Sequence, residues 1–292
     1  MFRVLKSVMC LLFLFHRGPV CAAPDRTPTV LVHGIASSKR EMVELENYLN
    51  AKNIPTVNEE IGNGQLTSIF MPLEEQCALL AENIRGASVD GKRVNMVAIS
   101  QGGLLARCYV EKYSHLSEYS AVDLLLTMGT PHMGVFFADD PDPFYKNVIG
   151  DYWKDPFHYL DYLRTNEFLA ELNNEREHNE SELYRSNMLG LRELGIVWSS
   201  VDTVVQPLES ARFEYYNTTA AMERGELVVV PLGLSDTYVK DLIGLRGLDE
   251  SGRLVLVETD CAHDAFKKEE CFGPLIERFF GLSAVGVAVA VV

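Results

Sequence analysis

One serine of this chain lies where it could act as a nucleophile. The stretch from Val97 to Gly103 reads Val-Ala-Ile-Ser-Gln-Gly-Gly, so Ser100 ends an apolar run and has a very small residue two positions to either side. Such a serine caps a strand and opens a helix at a strained backbone angle, and only small neighbours fit where the two backbones nearly touch. Ala98 stands where the usual Gly-x-Ser-x-Gly pattern has glycine, a change of one methyl group. The stretch predicts a nucleophile elbow and hence acyl-transfer chemistry at Ser100.

A serine hydroxyl is a weak nucleophile at neutral pH and needs a base that an acid holds in the right tautomer. Among the seven histidines, His263 alone follows both the elbow and a late apolar strand, so it is the candidate base. We expect His33 and His132, near the ends of predicted strands, to have structural roles in turns. The remaining candidates lie in helical or inserted segments and are expected at the surface: His115, His158 and His178.

The candidate acid is Asp202, which directly follows the predicted strand over residues 195–201. A parallel sheet presents functional side chains at the carboxyl ends of its strands. An alternative is that Asp202 only caps the segment that follows it. Four rival carboxylates are in less suitable positions: Asp236, Asp241, Asp249 and Asp260.

A tetrahedral intermediate also needs two backbone N–H groups directed at its oxyanion. In this arrangement they come from the residue after the nucleophile and from the first strand-to-helix turn. These positions are Gln101 and Ile35. Only their amide nitrogens take part, so their side chains carry little information about this role.

The elements that position these residues alternate between strand and helix. Apolar runs over residues 29–32, 92–99, 121–128, 195–201 and 253–259 predict strands, and helical spacing follows the first two. This alternation predicts an α/β-hydrolase fold over residues 26–282, a mostly parallel sheet flanked by helices. After the third strand unit, residues 136–194 are aromatic, acidic and helical in pattern. We interpret them as a helical insertion that caps the active site.

Composition limits the partners. The chain has 292 residues, 47% of them hydrophobic and 23% charged, and a formal net charge of −15. A chain this acidic, without a basic patch, is unsuited to nucleic acid or an anionic membrane as its main partner. The predicted chemistry needs no metal and no cofactor.

The two ends of the chain have their own signals. A cationic start, an apolar run and small residues at positions 20–22 predict a signal peptide over residues 1–22, with a disordered start as the alternative. Two sequons, at Asn179 and Asn217, agree with the secretory pathway. The apolar tail over residues 283–292 is too short to span a bilayer and lacks the polar spacer of a glycolipid-anchor signal. We therefore predict a loosely held tail and no stable transmembrane anchor.

Several segments together resemble the palmitoyl-protein thioesterase family over roughly residues 28–281. Two of them, residues 152–156 (Tyr-Trp-Lys-Asp-Pro) and residues 166–176, lie in the predicted insertion, which generic lipases do not share. The others are residues 32–35, 100–103 and 134–136. The resemblance is therefore more specific than the elbow alone.

This resemblance implies the removal of long-chain fatty acyl groups from cysteine thioesters in proteins or peptides, in the lysosome or after secretion. It carries the same roles to Ser100, Asp202 and His263, with Ile35 and Gln101 as oxyanion donors. Three insertion residues are candidates for an acyl groove, or for the core: Phe136, Phe168 and Leu169.

Cleavage of the signal peptide would leave four cysteines, an even number that suits an oxidising compartment. Three pairings are possible. Proximity in sequence and the resemblance favour Cys77 with Cys108 and Cys261 with Cys271.

Two other functions fit the same residues. A secreted lipase or carboxylesterase would use the same triad on an oxygen ester, and residues 129–132 (Gly-Thr-Pro-His) also occur in lipases. A non-catalytic binding protein with a hydrolase fold is the third possibility. Such proteins commonly lack a triad residue, whereas this chain has candidates for all three.

Overall fold

The computed structural model describes residues 27–86, 93–138 and 149–282. The predicted signal peptide and the apolar tail lie outside the described residues. Within the described ranges, no helix combines the length and the apolar character needed to cross a bilayer.

A parallel sheet forms the centre of the molecule. Its six strands, in spatial order, are β2 (Thr56–Val57), β1 (Thr29–Val32), β3 (Val94–Ile99), β4 (Val122–Met128), β5 (Glu193–Ser199) and β8 (Leu254–Thr259). Each neighbouring pair runs parallel. The strands β1, β3 and β4 are almost wholly buried, as expected for apolar runs that are covered on both faces. The predicted α/β class is confirmed.

Helices cover both faces of the sheet. In chain order, the α-helices of the described residues are α1 (Val43–Ala51), α2 (Gln65–Phe70), α3 (Leu73–Gly86), α4 (Gln101–Lys112), α5 (Tyr159–Thr165), α6 (Leu169–Leu172), α7 (Ser181–Leu189), α8 (Thr218–Arg224), α9 (Asp236–Val239), α10 (Leu245–Glu250) and α11 (Glu269–Phe279). Short 3-10 helices span Lys39–Met42, Gly150–Tyr152, Leu208–Arg212, Leu232–Leu234 and His263–Lys267. A two-stranded antiparallel sheet pairs β6 (Tyr215–Tyr216) with β7 (Val229–Val230).

The apolar core has two parts, one on each face of the sheet. One part includes α3, α4 and residues of the segment between β4 and β5. The other includes α1 and α11. This arrangement holds the carboxyl ends of β1, β3, β5 and β8 at one edge of the sheet.

The segment between β4 and β5 packs against the sheet domain in two places. Its early residues, including Val135 and Tyr152, lie over the edge that carries Ser100. Its last helix, α7, instead packs beside α4, where Asn187 donates to the Glu111 carbonyl at 2.7 Å. Within the described part of the predicted insertion, it is early residues that lie over the site.

A buried ion pair in α4 ties the inserted segment to the elbow helix. Arg107 and Glu111 are fully buried and 2.9 Å apart. Arg107 also donates to the Leu172 carbonyl and to the Asn173 side chain, each at 3.0 Å. These bonds fix the position of α6 relative to the helix that follows Ser100.

Two disulfides join elements near the site. Cys77 pairs with Cys108, which links α3 to α4. Cys261 pairs with Cys271, which links the segment before His263 to α11. This is the pairing that the resemblance favoured.

Candidate active site

Ser100 lies at a tight turn between β3 and α4. Its φ is 57° and its ψ is −132°, a strained conformation for a residue that has a side chain. A Cβ on Gly102 would come within 2.5 Å of the His33 carbonyl oxygen, so only glycine fits there. The close approach of β1 to α4 explains the small residue at this position of the sequence pattern.

Three side chains from three loops form one hydrogen-bonded chain. The His263 Nε2 lies 3.0 Å from the Ser100 Oγ. The His263 Nδ1 lies 2.7 Å from the Asp202 Oδ2. Because the carboxylate accepts, Nδ1 carries a proton, and the Nε2 lone pair faces the serine hydroxyl. The structure thus brings together the three residues selected from the sequence, in the geometry that serine activation requires.

Asp202 is held from both sides. Its Oδ1 accepts from the amides of Val204 and Val205 at 2.8 and 3.1 Å. Burial opposes ionisation of this carboxyl. The bond and charge of His263, together with the two amides, outweigh burial and hold the pKa of Asp202 below its usual value.

The rival carboxylates have other surroundings. Asp241 is buried and pairs with Arg185 at 2.7 Å. The other three are exposed: Asp236, Asp249 and Asp260. His263 is thus bonded to the acid that the sequence favoured.

The candidate oxyanion donors flank the serine. Gln101 opens α4, where the first N–H groups have no acceptor within the helix. Ile35 lies in the turn after β1 and lines, with Ser100, two cavities. Their side chains have contacts of their own. The Ile35 side chain belongs to a largely apolar wall, and the Gln101 Nε2 donates to the Ser68 carbonyl in α2 at 2.9 Å.

The other histidines have separate surroundings. His132 is fully buried, stacks on Phe213 and bonds the Thr127 hydroxyl oxygen at 2.9 Å through Nε2. Burial, with Arg107 nearby, holds the pKa of His132 well below its usual value, so this ring is neutral. His115 and His158 are exposed and His178 is half-buried. His33 is buried beside Ile35.

A largely apolar cavity of about 330 Å³ opens at Ser100. Its wall consists of Ile35, Ala36, Ile69, Phe70, Pro131, Val135, Phe137, Ile149, Tyr152, Val204 and Val205, besides Ser100. Phe70 and Val204 are 65% and 48% exposed and mark its mouth, whereas Tyr152 and Ile149 are 4% and 8% exposed and mark its inner part. The cavity is suited to an apolar chain attached at Ser100.

The proposed groove residues are not in this wall. Phe136 packs against Trp153, Phe157 and Tyr216. Phe168 and Leu169 are 4% and 0% exposed in the core. These three residues are buried in the core and do not line this cavity, which favours the alternative that they belong to the core. Successive side chains of an extended segment point in opposite directions, so Val135 and Phe137 face the cavity while Phe136 faces away.

A second, smaller cavity of about 150 Å³ shares Ser100, Ile35 and Val204 with the first. Of the two cavities, the smaller one has His263 in its wall and the larger one does not. The rim of the smaller cavity carries Glu41, Asp264 and Lys267. Two cavities of different chemistry thus meet at Ser100. Within the described ranges, no group of three or more His, Cys, Asp or Glu residues is arranged to hold a metal ion.

Sequence reasoning missed the wall residues Val204 and Val205. A signal was available in the sequence, because these two apolar residues follow the acid with only Thr203 between them. In the structure, their amides bond its carboxylate. The inner residues Ile149 and Tyr152 had no comparable signal. Their place depends on how the inserted segment folds back.

The chain is similar to several known proteins. The chain matches the family model described as palmitoyl protein thioesterase over residues 28–263. It is 30% identical to Palmitoyl-protein thioesterase 3 of Dictyostelium discoideum over 292 residues, 95% of this chain and 97% of that protein. It is 28% identical to Lysosomal thioesterase PPT2-B of Xenopus laevis, across 78% of this chain and 83% of that protein. The chain also resembles the solved structure of a monoacylglycerol lipase of Paleococcus ferrophilus, with a TM-score of 0.51 and 13% sequence identity. The match covers 89% of this chain and 96% of that one, and this likeness shows the fold alone.

Proposed function

Because the chain belongs to the palmitoyl-protein thioesterase family and is an enzyme of thioester or ester hydrolysis, we propose that it removes long-chain fatty acyl groups, such as palmitoyl, from cysteine residues of proteins or peptides. The proposed catalytic residues are Ser100, His263 and Asp202. The observation that carries the proposal is the hydrogen-bonded chain of these three side chains at the point where an apolar cavity meets one whose wall includes charged side chains.

Acylation begins when the Ser100 Oγ attacks the thioester carbonyl and its proton passes to the His263 Nε2. The carbonyl oxygen becomes an oxyanion, which the amides of Ile35 and Gln101 stabilise. Asp202 stabilises the imidazolium through Nδ1–H. Collapse of the intermediate breaks the carbon–sulfur bond, and His263 returns its proton to the departing sulfur. The products are a free cysteine thiol and an acyl ester of Ser100.

Deacylation repeats these steps with water. His263 takes a proton from the attacking water, and a second tetrahedral intermediate collapses to release the fatty acid. His263 gives the proton back to the Ser100 Oγ. The leaving thiol has an ordinary pKa near 8.5. Cleavage of a thioester therefore depends less on proton donation by His263 to the leaving group than cleavage of an oxygen ester does.

The two cavities suggest how the substrate lies. The larger one has a largely apolar wall that matches a fatty acyl chain. The protonated His263 must reach the leaving sulfur, and His263 belongs to the wall of the smaller cavity. We therefore assign the acyl chain to the larger cavity and the cysteine side to the smaller one.

The proposed location is the secretory pathway, ending in the lysosome or outside the cell. The similar Xenopus laevis protein is named a lysosomal thioesterase. Two disulfides agree with an oxidising compartment. The sequon residues Asn179 and Asn217 are both exposed, as glycosylation requires. The Asn217 Oδ1 caps α8 by accepting from the Ala220 amide, which leaves Nδ2 for a glycan.

The proposal is tested by comparing hydrolysis of a palmitoyl-cysteine peptide with that of a matched palmitoyl oxygen ester, at acidic and neutral pH. We expect thioester preference, and loss of both activities in Ser100→Ala. Ser114→Ala, which alters a half-buried serine just after α4, is the matched control and should behave as wild type. Ester preference would instead support a lipase or carboxylesterase. Absence of all hydrolysis, with retained binding of acylated protein, would support a binding protein.

A further inference from the structure

We infer that His33 is a positioning residue for the oxyanion hole, and that Glu60 holds it in place. This inference rests on the proposed acyl-transfer mechanism. It assigns a role in the reaction to a side chain for which the sequence predicted only a structural role in a turn.

The His33 side chain bonds the peptide group between Gly34 and Ile35. His33 follows β1 and is 3% exposed. Its Nδ1 lies 3.0 Å from the Gly34 carbonyl oxygen and donates to it. That carbonyl and the Ile35 N–H belong to the same planar peptide, and in a trans peptide the two point in opposite directions. Holding the Gly34 oxygen therefore fixes the direction of the Ile35 N–H.

This N–H is one of the two proposed oxyanion donors. Ile35 and Gly34 both line the smaller cavity with Ser100 and His263. A donor stabilises the transition state only when it is already directed at the developing charge. A hydrogen bond to the carbonyl also polarises the peptide and strengthens its N–H as a donor. His33 thus acts on the reaction without touching substrate.

The other ring nitrogen of His33 faces Glu60. The His33 Nε2 lies 3.3 Å from the Glu60 Oε1, and this nitrogen is buried without a hydrogen-bond partner in the described structure. The Glu60 carboxylate therefore lies within ion-pair distance of the ring edge opposite Nδ1 and limits rotation of the ring, without a hydrogen bond between the two groups.

Glu60 is itself fixed. Its Oε1 accepts from the Lys39 backbone amide at 3.0 Å. The Lys39 ammonium points to another carboxylate, Glu59, at 3.9 Å. The Glu60 carboxylate therefore stays directed at His33. His33 and Glu60 act as one unit that connects the end of β1 to the segment before α2.

The test measures kcat and KM separately with a palmitoyl-thioester peptide. In His33→Leu the Ile35 peptide loses its anchor, and we expect kcat to fall by about 10- to 100-fold, part of the loss seen when an oxyanion donor is removed, with KM changed by about twofold or less. In His33→Asn the side-chain amide can take the place of Nδ1–H. We expect it to recover a substantial part of kcat.

Glu60→Leu tests the role of Glu60 separately. It should lower kcat in the same way as His33→Leu, and the double variant should be no slower than His33→Leu alone, because the two residues act as a unit. Thermal unfolding confirms that each variant is folded at the assay temperature. If one leucine variant fails to fold, His33→Asn and the other leucine variant still test whether His33 and Glu60 position the oxyanion hole.

The inference is overturned if folded His33→Leu keeps kcat within about twofold of wild type, if the loss lies wholly in KM, or if His33→Asn is no faster than His33→Leu. Additive effects of His33→Leu and Glu60→Leu would refute the coupling to Glu60. A wild-type enzyme without Ser100-dependent turnover would refute the proposed function, and this inference with it.

Discussion

At the scale of residues, the candidate site depends on how Asp202 is held. Two backbone amides fix one carboxylate oxygen and His263 bonds the other. The same contacts keep the pKa of Asp202 below its usual value. Asp202 therefore stays ionised as the pH falls through the range where an ordinary aspartic acid takes up a proton. Its favourable contribution to folding is present above the unfolded pKa and is lost only as the pH falls through the lower, folded one.

Asp202→Asn tests this role. The amide cannot stabilise the imidazolium and favours the wrong tautomer of His263, so we expect kcat to fall by about 10³- to 10⁴-fold. The measurement is kcat with a palmitoyl-thioester peptide. Asp260→Asn is the matched control, since Asp260 is an exposed carboxylate close to His263 in sequence. Equal losses in the two variants would contradict the assignment of the acid.

The sequence predicted these residues because their types and order matter more than their exact surroundings. Ser100, Asp202 and His263 each follow the end of an apolar strand, in the order that a parallel sheet can bring together. It did not predict Glu60 as a partner of His33. Nothing in the spacing of residues 33 and 60 indicates contact, because that contact depends on how the loop after β2 returns to β1.

At the scale of elements, the acyl cavity is built from separate parts of the chain. Phe70 of α2 and Val204 of the acid loop form its mouth, and Ile149 and Tyr152 of the inserted segment form its inner part. Gln101 anchors α2 to the elbow helix. The wall is therefore tied directly to the residues that carry the chemistry.

Ile149→Phe tests the orientation of the acyl chain. A larger side chain in the inner part shortens the cavity. We therefore expect the ratio of palmitoyl to octanoyl thioester turnover to fall by about 10-fold or more, because one methylene in an apolar pocket is worth roughly 1–3 kcal/mol. The ratio is measured in one preparation, so partial unfolding cancels. Ile69→Phe, at the α2 side of the wall, gives a comparison. An unchanged ratio in Ile149→Phe would place the chain elsewhere.

The elements themselves were predictable where a single pattern decided them. The strands at 94–99 and 122–128 follow from short apolar runs, and α4 follows from the residues after the elbow. The inserted segment was predictable in composition only. Its aromatic residues belong both to the core and to the cavity wall, and packing between distant segments decides which side each one faces.

At the scale of the whole molecule, charge and burial couple stability to pH. The buried carboxyl of Glu111 is the clearest case. Burial raises the pKa of Glu111 to about 7, although Arg107 opposes the shift. A carboxyl whose folded pKa is raised stabilises the folded state fully below its unfolded pKa, near 4.3, and this contribution is lost as the pH rises through about 7.

Glu111→Gln tests this coupling. We expect the wild-type enzyme to be more stable at pH 5 than at pH 8, with about 1–3 kcal/mol of the difference due to Glu111. The variant, which cannot ionise there, should show a smaller difference. Unfolding midpoints at both pH values provide the measurement, and the variant corrects for the protonation of other acidic groups in a chain of net charge −15. Parallel pH profiles for the two proteins would contradict the effect.

The central claim is that Ser100 carries the acyl group during thioester hydrolysis. The most direct measurement is rapid acid quenching of the enzyme with a palmitoyl-thioester peptide, followed by mass spectrometry of the digested protein. We predict a mass increment of one palmitoyl group on the peptide that contains Ser100, formed within the first turnover and absent in Ser100→Ala. An acyl group on another residue, or equal turnover by Ser100→Ala, would contradict the account.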